Sequence, residues 1–114
     1  MSSTKASSTP AESTPDRFAT FDVGTNSVIM LVVEARPDGH MRQIRDRARV
    51  TRLGQGLDES GRISDEAARR TLDCLKEFTD EARELQVSAR AAVGTLCLRV
   101  AANADDFVRR AADE

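Results

Sequence analysis

Cysteine and histidine are nearly missing from this chain of 114 residues, which has two of the first and one of the second. Cys74 and Cys97 are too few for a disulfide framework and lack paired metal-ligand spacing. Each is expected to be a small core residue. His40 stands alone, which excludes a histidine-based metal cluster within one chain. Also missing is a basic excess. The formal net charge is −2 and the sequence pI about 5.5, so no nucleic-acid partner is expected, because such partners draw a clear positive surplus. No apolar run approaches the roughly 20 residues that span a bilayer. Nor does a charged start followed by an apolar core mark a secretion signal. The expectation is a soluble, cytoplasmic protein with no membrane contact. Hydrophobic content is 39%, below the usual ~45–50%, and the length suits one domain or part of one.

Part of the apolar deficit lies in residues 1–16, a Ser/Thr/Pro tail broken by Pro10 and Pro15, which has nothing to bury and is expected to be disordered. Beyond it, Arg17–Phe21 and Ser27–Ala35 read as two strands around the turn Asp22-Val23-Gly24-Thr25-Asn26-Ser27. Glycine at position 24 would let that turn be sharp. The second strand is apolar on both faces, the mark of a central strand covered on both sides. Pro37-Asp38-Gly39-His40 is a hairpin turn, with His40 at its tip. Met41–Val50 alternates, with Met41, Gln43, Arg45, Arg47 and Arg49 on one side, as in a charged edge strand. The opening is thus an antiparallel three-strand meander. Thr51–Ile63, with Gly54, Gly56 and Gly61, reads as a loop; its Arg52 and Arg62 could face an anionic ligand, but read first as solvated side chains.

Ser64 is a good helix N-cap, with Asp65 and Glu66 in the first turn, where the helix dipole favours acids. Ala68, Leu72, Leu75, Phe78, Ala82 and Leu85 then recur at helical spacing. The acids on the other flanks read as a solvated face. Val87–Val93 follows as a strand, Gly94-Thr95 breaks it, and a second helical stretch runs from about Leu96 into Arg109. A strand, a long amphipathic helix and a strand make a crossover, which implies parallel pairing to an earlier strand.

The chemistry concentrates in the first turn. Consecutive backbone N–H groups and three small polar side chains can face one concavity, which suits a phosphate oxygen. Asp22 would repel that phosphate unless a divalent cation sat between them, and carboxylate, water and phosphate oxygens are the ligands Mg²⁺ prefers. By composition the same residues also make an ordinary turn. The spacing is not that of a nucleotide P-loop. Thr95 and Arg99 open the last helical stretch at the carboxyl end of a strand, where α/β sheets bind ligands. Arg99 can meet a phosphate bidentately.

Three blocks together resemble the exopolyphosphatase/guanosine pentaphosphate phosphatase (Ppx/GppA) family. They are Asp22-Val23-Gly24-Thr25-Asn26-Ser27, then Arg52-Leu53-Gly54-Gln55-Gly56-Leu57 with Gly61-Arg62-Ile63-Ser64, then Val93-Gly94-Thr95 with Leu98-Arg99, Ala101, Asn103 and Phe107. The first block is shared more loosely with actin, heat-shock ATPases and sugar kinases. The resemblance covers roughly residues 18–110. It implies an α/β, ribonuclease-H-like half-domain of the actin-like ATPase superfamily. It also implies Mg²⁺-dependent hydrolysis of phosphoanhydride bonds in inorganic polyphosphate or guanosine pentaphosphate. By the same resemblance, Gly24, Thr25, Asn26, Ser27, Thr95 and Arg99 would bind phosphate and Asp22 the metal, while Asn103 would brace its local helix. The glutamate that activates water in the family follows the last helix and has no counterpart up to Glu114. Residues 17–114 are therefore expected to be an incomplete N-terminal domain, inactive alone, whose partner is the remainder of a phosphatase chain. Exposed apolar surface and dimerisation are expected consequences. The rival readings are a non-catalytic phosphate- or polyphosphate-binding module and an ATP-using relative of the superfamily.

Overall fold

A computed structural model describes residues 15–94 and 97–113, without the side chains of Cys97 and Val100. The expected disorder of the tail therefore falls outside the described residues up to position 14. Three strands open the fold: β1 (Arg17–Val23), β2 (Ser27–Ala35) and β3 (Met41–Val50). They form the expected antiparallel meander. A single helical turn, α1 (Leu57–Ser60), interrupts the stretch read as a loop, and it is bounded by Gly56 and Gly61 at φ +79° and +70°. The long helix α2 (Asp65–Glu84) leads to β4 (Ala89–Gly94), then come α3 (Cys97–Val100) and α4 (Ala104–Ala112). The sheet order is β3-β2-β1-β4, with β4 parallel to β1 as the crossover requires. Among the described residues no helix is long and apolar enough to cross a membrane.

Helix α2 begins where the sequence places it, with the Ser64 hydroxyl oxygen accepting from the Ala67 amide at 3.1 Å. Its apolar stripe lies on one face of the sheet. Leu72, Leu75, Phe78 and Ala82 are buried there with Ala19, Phe21 and Val23 of β1 and Val28, Met30 and Val32 of β2, while Phe107 of α4 completes the cluster. Each large side chain so removed from water contributes roughly 1.5–3 kcal/mol. Cys74 is fully buried in this core, as expected, and burial pushes its thiol up, away from the thiolate that a nucleophile needs. Glu34 is buried too. The Arg17 Nε donates to it at 3.1 Å, and the Arg17 Nη1 donates to the Leu85 carbonyl at 2.9 Å, tying two strands to the end of α2.

Four local expectations are corrected. First, β1 runs on to Val23, because β4 pairs along it as far as Gly94 and β2 as far as Val28. Asp22 and Val23 are therefore strand residues, and the turn between strands is short. Second, β2 is covered on one face only among the described residues: Ile29 is 46% exposed while Val28 is 0%. Third, the alternation of β3 is broken by a bulge. Val32 pairs with Arg45 and Val33 with Gln43, so Ile44 is the extra residue. Paired residues share a face; hence Met41 and Gln43 lie on the outer face, and Arg45, Arg47 and Arg49 on the helix face. Fourth, the last helical stretch is two helices, because residues 101–103 leave helical geometry to bond with the 61–63 loop.

The bulge turns a supposedly solvated charge row into a layer contact. Arg45 and Arg47 both reach Glu81 of α2, Arg47 Nη2 at 3.0 Å. Arg49 meets Glu77 bidentately at 2.9 and 3.0 Å and lies 5.4 Å above the Phe78 ring. These hydrogen bonds hold the Glu77 carboxyl below its usual 4.5. A lowered folded value means that its contribution is complete above the ordinary pKa and is lost as pH falls through the lowered one. The stability difference between wild type and Glu77→Gln should thus be full near neutrality and vanish in acid, as read by urea midpoints across pH. Phe78→Ala should lower stability by about 3–5 kcal/mol at any pH, measured in the same way.

Candidate phosphate-binding site

One end of the sheet gathers three segments. Val23 and Gly94 are parallel partners, so β1 and β4 end side by side. Ser27 pairs with Val50, which brings the start of β2 and the end of β3 to that same end. The turn 24–26, the loop that begins at Thr51 and the connection leaving Gly94 therefore emerge together, at the carboxyl end of the parallel pair, where open α/β sheets hold ligands.

The turn owes its shape to hydrogen bonds rather than to an unusual glycine. Gly24 does not have a positive φ. What disfavours a side chain there is close approach, since a Cβ would lie 3.0 Å from the Ser27 carbonyl oxygen, which would have to give way by a few tenths of an ångström. That oxygen accepts from the Gly24 amide at 2.8 Å, which uses one of the donors expected to face an anion. The next two carbonyls face the neighbouring loop: Asn26 accepts from Thr51 and Arg52 at 2.9 and 3.0 Å, and Thr25 accepts from Gly54 at 3.0 Å. Among the described residues there are no cis peptides. In a trans peptide plane C=O and N–H point in opposite directions, so the amides of Asn26 and Ser27 are directed away from the loop. Thr25 and Asn26 are exposed and Ser27 half-buried. This gives directed donors and small polar side chains at an accessible surface, which suits an anionic oxygen.

Gly54 makes the docking possible. A Cβ there would fall 2.4 Å from the Thr25 Cγ2. Arg52, two residues before it, has φ +53°, a left-handed conformation that a residue with a side chain adopts only when its surroundings impose it. Arg70 of α2 supplies part of that constraint, with its Nε donating to the Thr51 carbonyl at 2.9 Å and its Nη2 to the Arg52 carbonyl at 3.3 Å. Nothing in the sequence separates Arg70 from its neighbour Arg69, and only the fold reveals this role.

Of the other candidate residues, Asp22 is exposed near the end of β1, its neighbours in the ladder being Ile29 and Val93. Its carboxylate therefore stands on the outer face of the sheet, open to water. Among the described residues no group of three or more potential ligands gathers around a metal position. Arg99 is exposed on α3. Thr95 lies outside the described residues. Gly94 admits α3 at close range, since a Cβ on it would fall 2.2 Å from the Leu98 Cδ1. Asn103 occupies the N-cap position of α4, but its side chain makes no capping hydrogen bond. Its side-chain amide instead pairs with the Ile63 backbone, donating at 2.9 Å and accepting at 2.8 Å. That bracing spans 40 residues rather than one turn. A cavity of about 340 Å³ opens under the same end of the sheet, lined by Val23, Gly94 and Leu98 together with Phe21, Leu75 and Phe107. Its walls suit hydrocarbon, not phosphate.

A sequence model described as the Ppx/GppA phosphatase family matches residues 32–114. A guanosine-5'-triphosphate,3'-diphosphate pyrophosphatase of Vibrio atlanticus is 39% identical over 97 residues, which is 85% of this chain and 19% of that protein. Among solved structures, the Ppx/GppA family member of Aquifex aeolicus superposes with a TM-score of 0.83 at 33% identity, covering 87% of this chain and 32% of the other. An exopolyphosphatase from Cytophaga hutchinsonii gives 0.81 at 29% identity, covering 87% and 31%. The chain thus spans about a fifth of the length of the curated relatives it matches.

Gly54→Ala tests the docking of loop on turn. The added methyl must displace Thr25, an overpacking that costs about 1–3 kcal/mol. A lowered urea midpoint should accompany shifted amide resonances at residues 24–27.

Proposed function

The chain belongs to the Ppx/GppA phosphatase family, and on that premise we propose that it supplies the first phosphate-holding wall of a site that hydrolyses phosphoanhydride bonds in inorganic polyphosphate or guanosine pentaphosphate. What carries this reading is the parallel pairing of Val23 with Gly94, which sets the turn 24–27 beside the segment that leads to Arg99. The amides of Asn26 and Ser27, with the hydroxyls of Thr25 and Ser27, would receive the oxygens of a phosphoryl group. Arg99, and Thr95 at the head of its segment, would meet that group from the facing wall. A guanidinium serves well there because it can take two oxygens of one phosphate.

Asp22 is the residue that would hold Mg²⁺. One exposed carboxylate beside a phosphate site fits an ion usually bound by one or two carboxylates, waters and the substrate's own oxygens. The ion would supply neutralising charge for the transferring phosphoryl group. Phosphoryl transfer depends chiefly on positioning and charge stabilisation, and both are what these residues provide. No residue of this chain is assigned to activate the attacking water, so the chain by itself should bind phosphate weakly and turn over neither substrate.

The test is a titration of the chain with short-chain polyphosphate, followed at the amide resonances of residues 24–27. Those resonances should move, and Mg²⁺ should tighten binding in wild type but not in Asp22→Asn. Arg99→Ala should weaken binding about tenfold, the ~1.4 kcal/mol expected for a charge-assisted contact. Turn resonances that stay still at every concentration would overturn the reading. Hydrolysis at an ordinary enzymatic rate would overturn the expected inactivity.

A further inference from the structure

Arg70 lies in the second turn of α2 and reaches the carbonyls of Thr51 and Arg52, with its Nη2 also donating to the Gln55 Oε1 at 2.7 Å. It meets the loop on the side opposite to the anion turn. The same two residues, Thr51 and Arg52, give their amides to the Asn26 carbonyl. The hydrogen bonds therefore run in series, from guanidinium to loop carbonyls and from loop amides to turn carbonyls. The Thr51 hydroxyl is buried and has no partner among the described residues, so the side chain of Thr51 does not anchor the loop. Its anchoring comes through backbone groups, and Arg70 is the charged donor set against them. Only a planar fork with several donors can serve two successive carbonyls and a side-chain amide at once. The left-handed Arg52 needs such over-determination to persist.

The geometry points to Arg70 as a positioning residue for phosphate binding. By fixing the loop it keeps the Thr25 and Asn26 carbonyls turned inward, and so keeps the Asn26 and Ser27 amides turned outward toward an anion. Arg70 itself touches no ligand. This inference rests on the phosphate reading of the turn and adds the residue that orients it.

Two measurements on Arg70→Ala and Arg70→Lys test it, with inorganic phosphate as the probe. Amide hydrogen exchange without ligand should be at least tenfold faster at Arg52 and Gly54 in Arg70→Ala, while the core amides of α2 keep their protection. Phosphate titration followed at the Asn26 and Ser27 resonances should show affinity at least tenfold weaker. Arg70→Lys keeps the charge and the aliphatic stem but not the fork; it should melt like wild type and still lose affinity severalfold. Unchanged exchange at Arg52 and Gly54 would overturn the inference. So would faster exchange with unchanged phosphate affinity, which would leave Arg70 a merely structural tie. A wild-type turn that ignores phosphate would remove the reading of the turn itself and this inference with it. A wild-type response that both variants share would remove this inference alone.

Discussion

Parallel pairing of β1 with β4 is the constraint on which the rest of the molecule depends. It needs a crossover, and α2 is that crossover, so the pairing decides which face of the sheet carries the core. It also brings Val23 and Gly94 level. Without that alignment the first turn and the last connection would leave the sheet at different heights, and no shared concavity would exist. Alignment alone does not aim the donors. That depends on a second set of bonds, from the 51–54 loop to the carbonyls of Thr25 and Asn26. The two levels are distinct: strand register places the turn, and loop contacts set the direction of its peptide planes.

The same hierarchy runs through the polar contacts. Glu34 and Arg17 tie the two strands to the end of α2, Glu77 and Glu81 receive three arginines of β3, and Asn103 pairs with the Ile63 backbone. Each links segments far apart in sequence, and each satisfies a charge or backbone group near the margin of the core. The exposed pairs add little to stability one by one. Their consequence is geometric, because they fix how α2 and the C-terminal helices lie on a sheet whose opposite face is uncovered among the described residues. The fold is the mixed α/β, ribonuclease-H-like arrangement of the Ppx/GppA phosphatases.

What could be read in the sequence followed from local causes. Ser64 and the stripe from Ala68 to Leu85 gave α2 to within a residue, since capping and helical period are written in neighbouring positions. Ser27–Ala35 and Met41–Val50 were legible because apolar runs and the Pro-Asp-Gly turn bracket them. What was not legible has distant causes. β1 is extended past Phe21 by a strand that begins nearly 70 residues later in the chain. The break at 101–103 exists because Asn103 bonds to Ile63. The faces of Arg45, Arg47 and Arg49 depend on a bulge opposite Val32 and Val33, which alternation alone does not predict. For the site, Gly24 and Gly54 were visible as glycines, but their reason is the contact each one permits. Arg70 was invisible, being one of two adjacent arginines on a charged helix flank.

The bulge and the arginines of β3 have an effect on how the sheet meets other sheets. Two β3 margins laid against each other would set guanidinium beside guanidinium across a kinked ladder, a poor template for growth by strand addition. β4 presents six exposed residues with one arginine and no kink. The sheet has, in effect, one guarded margin and one receptive margin, and any strand that lengthens it should add beside β4.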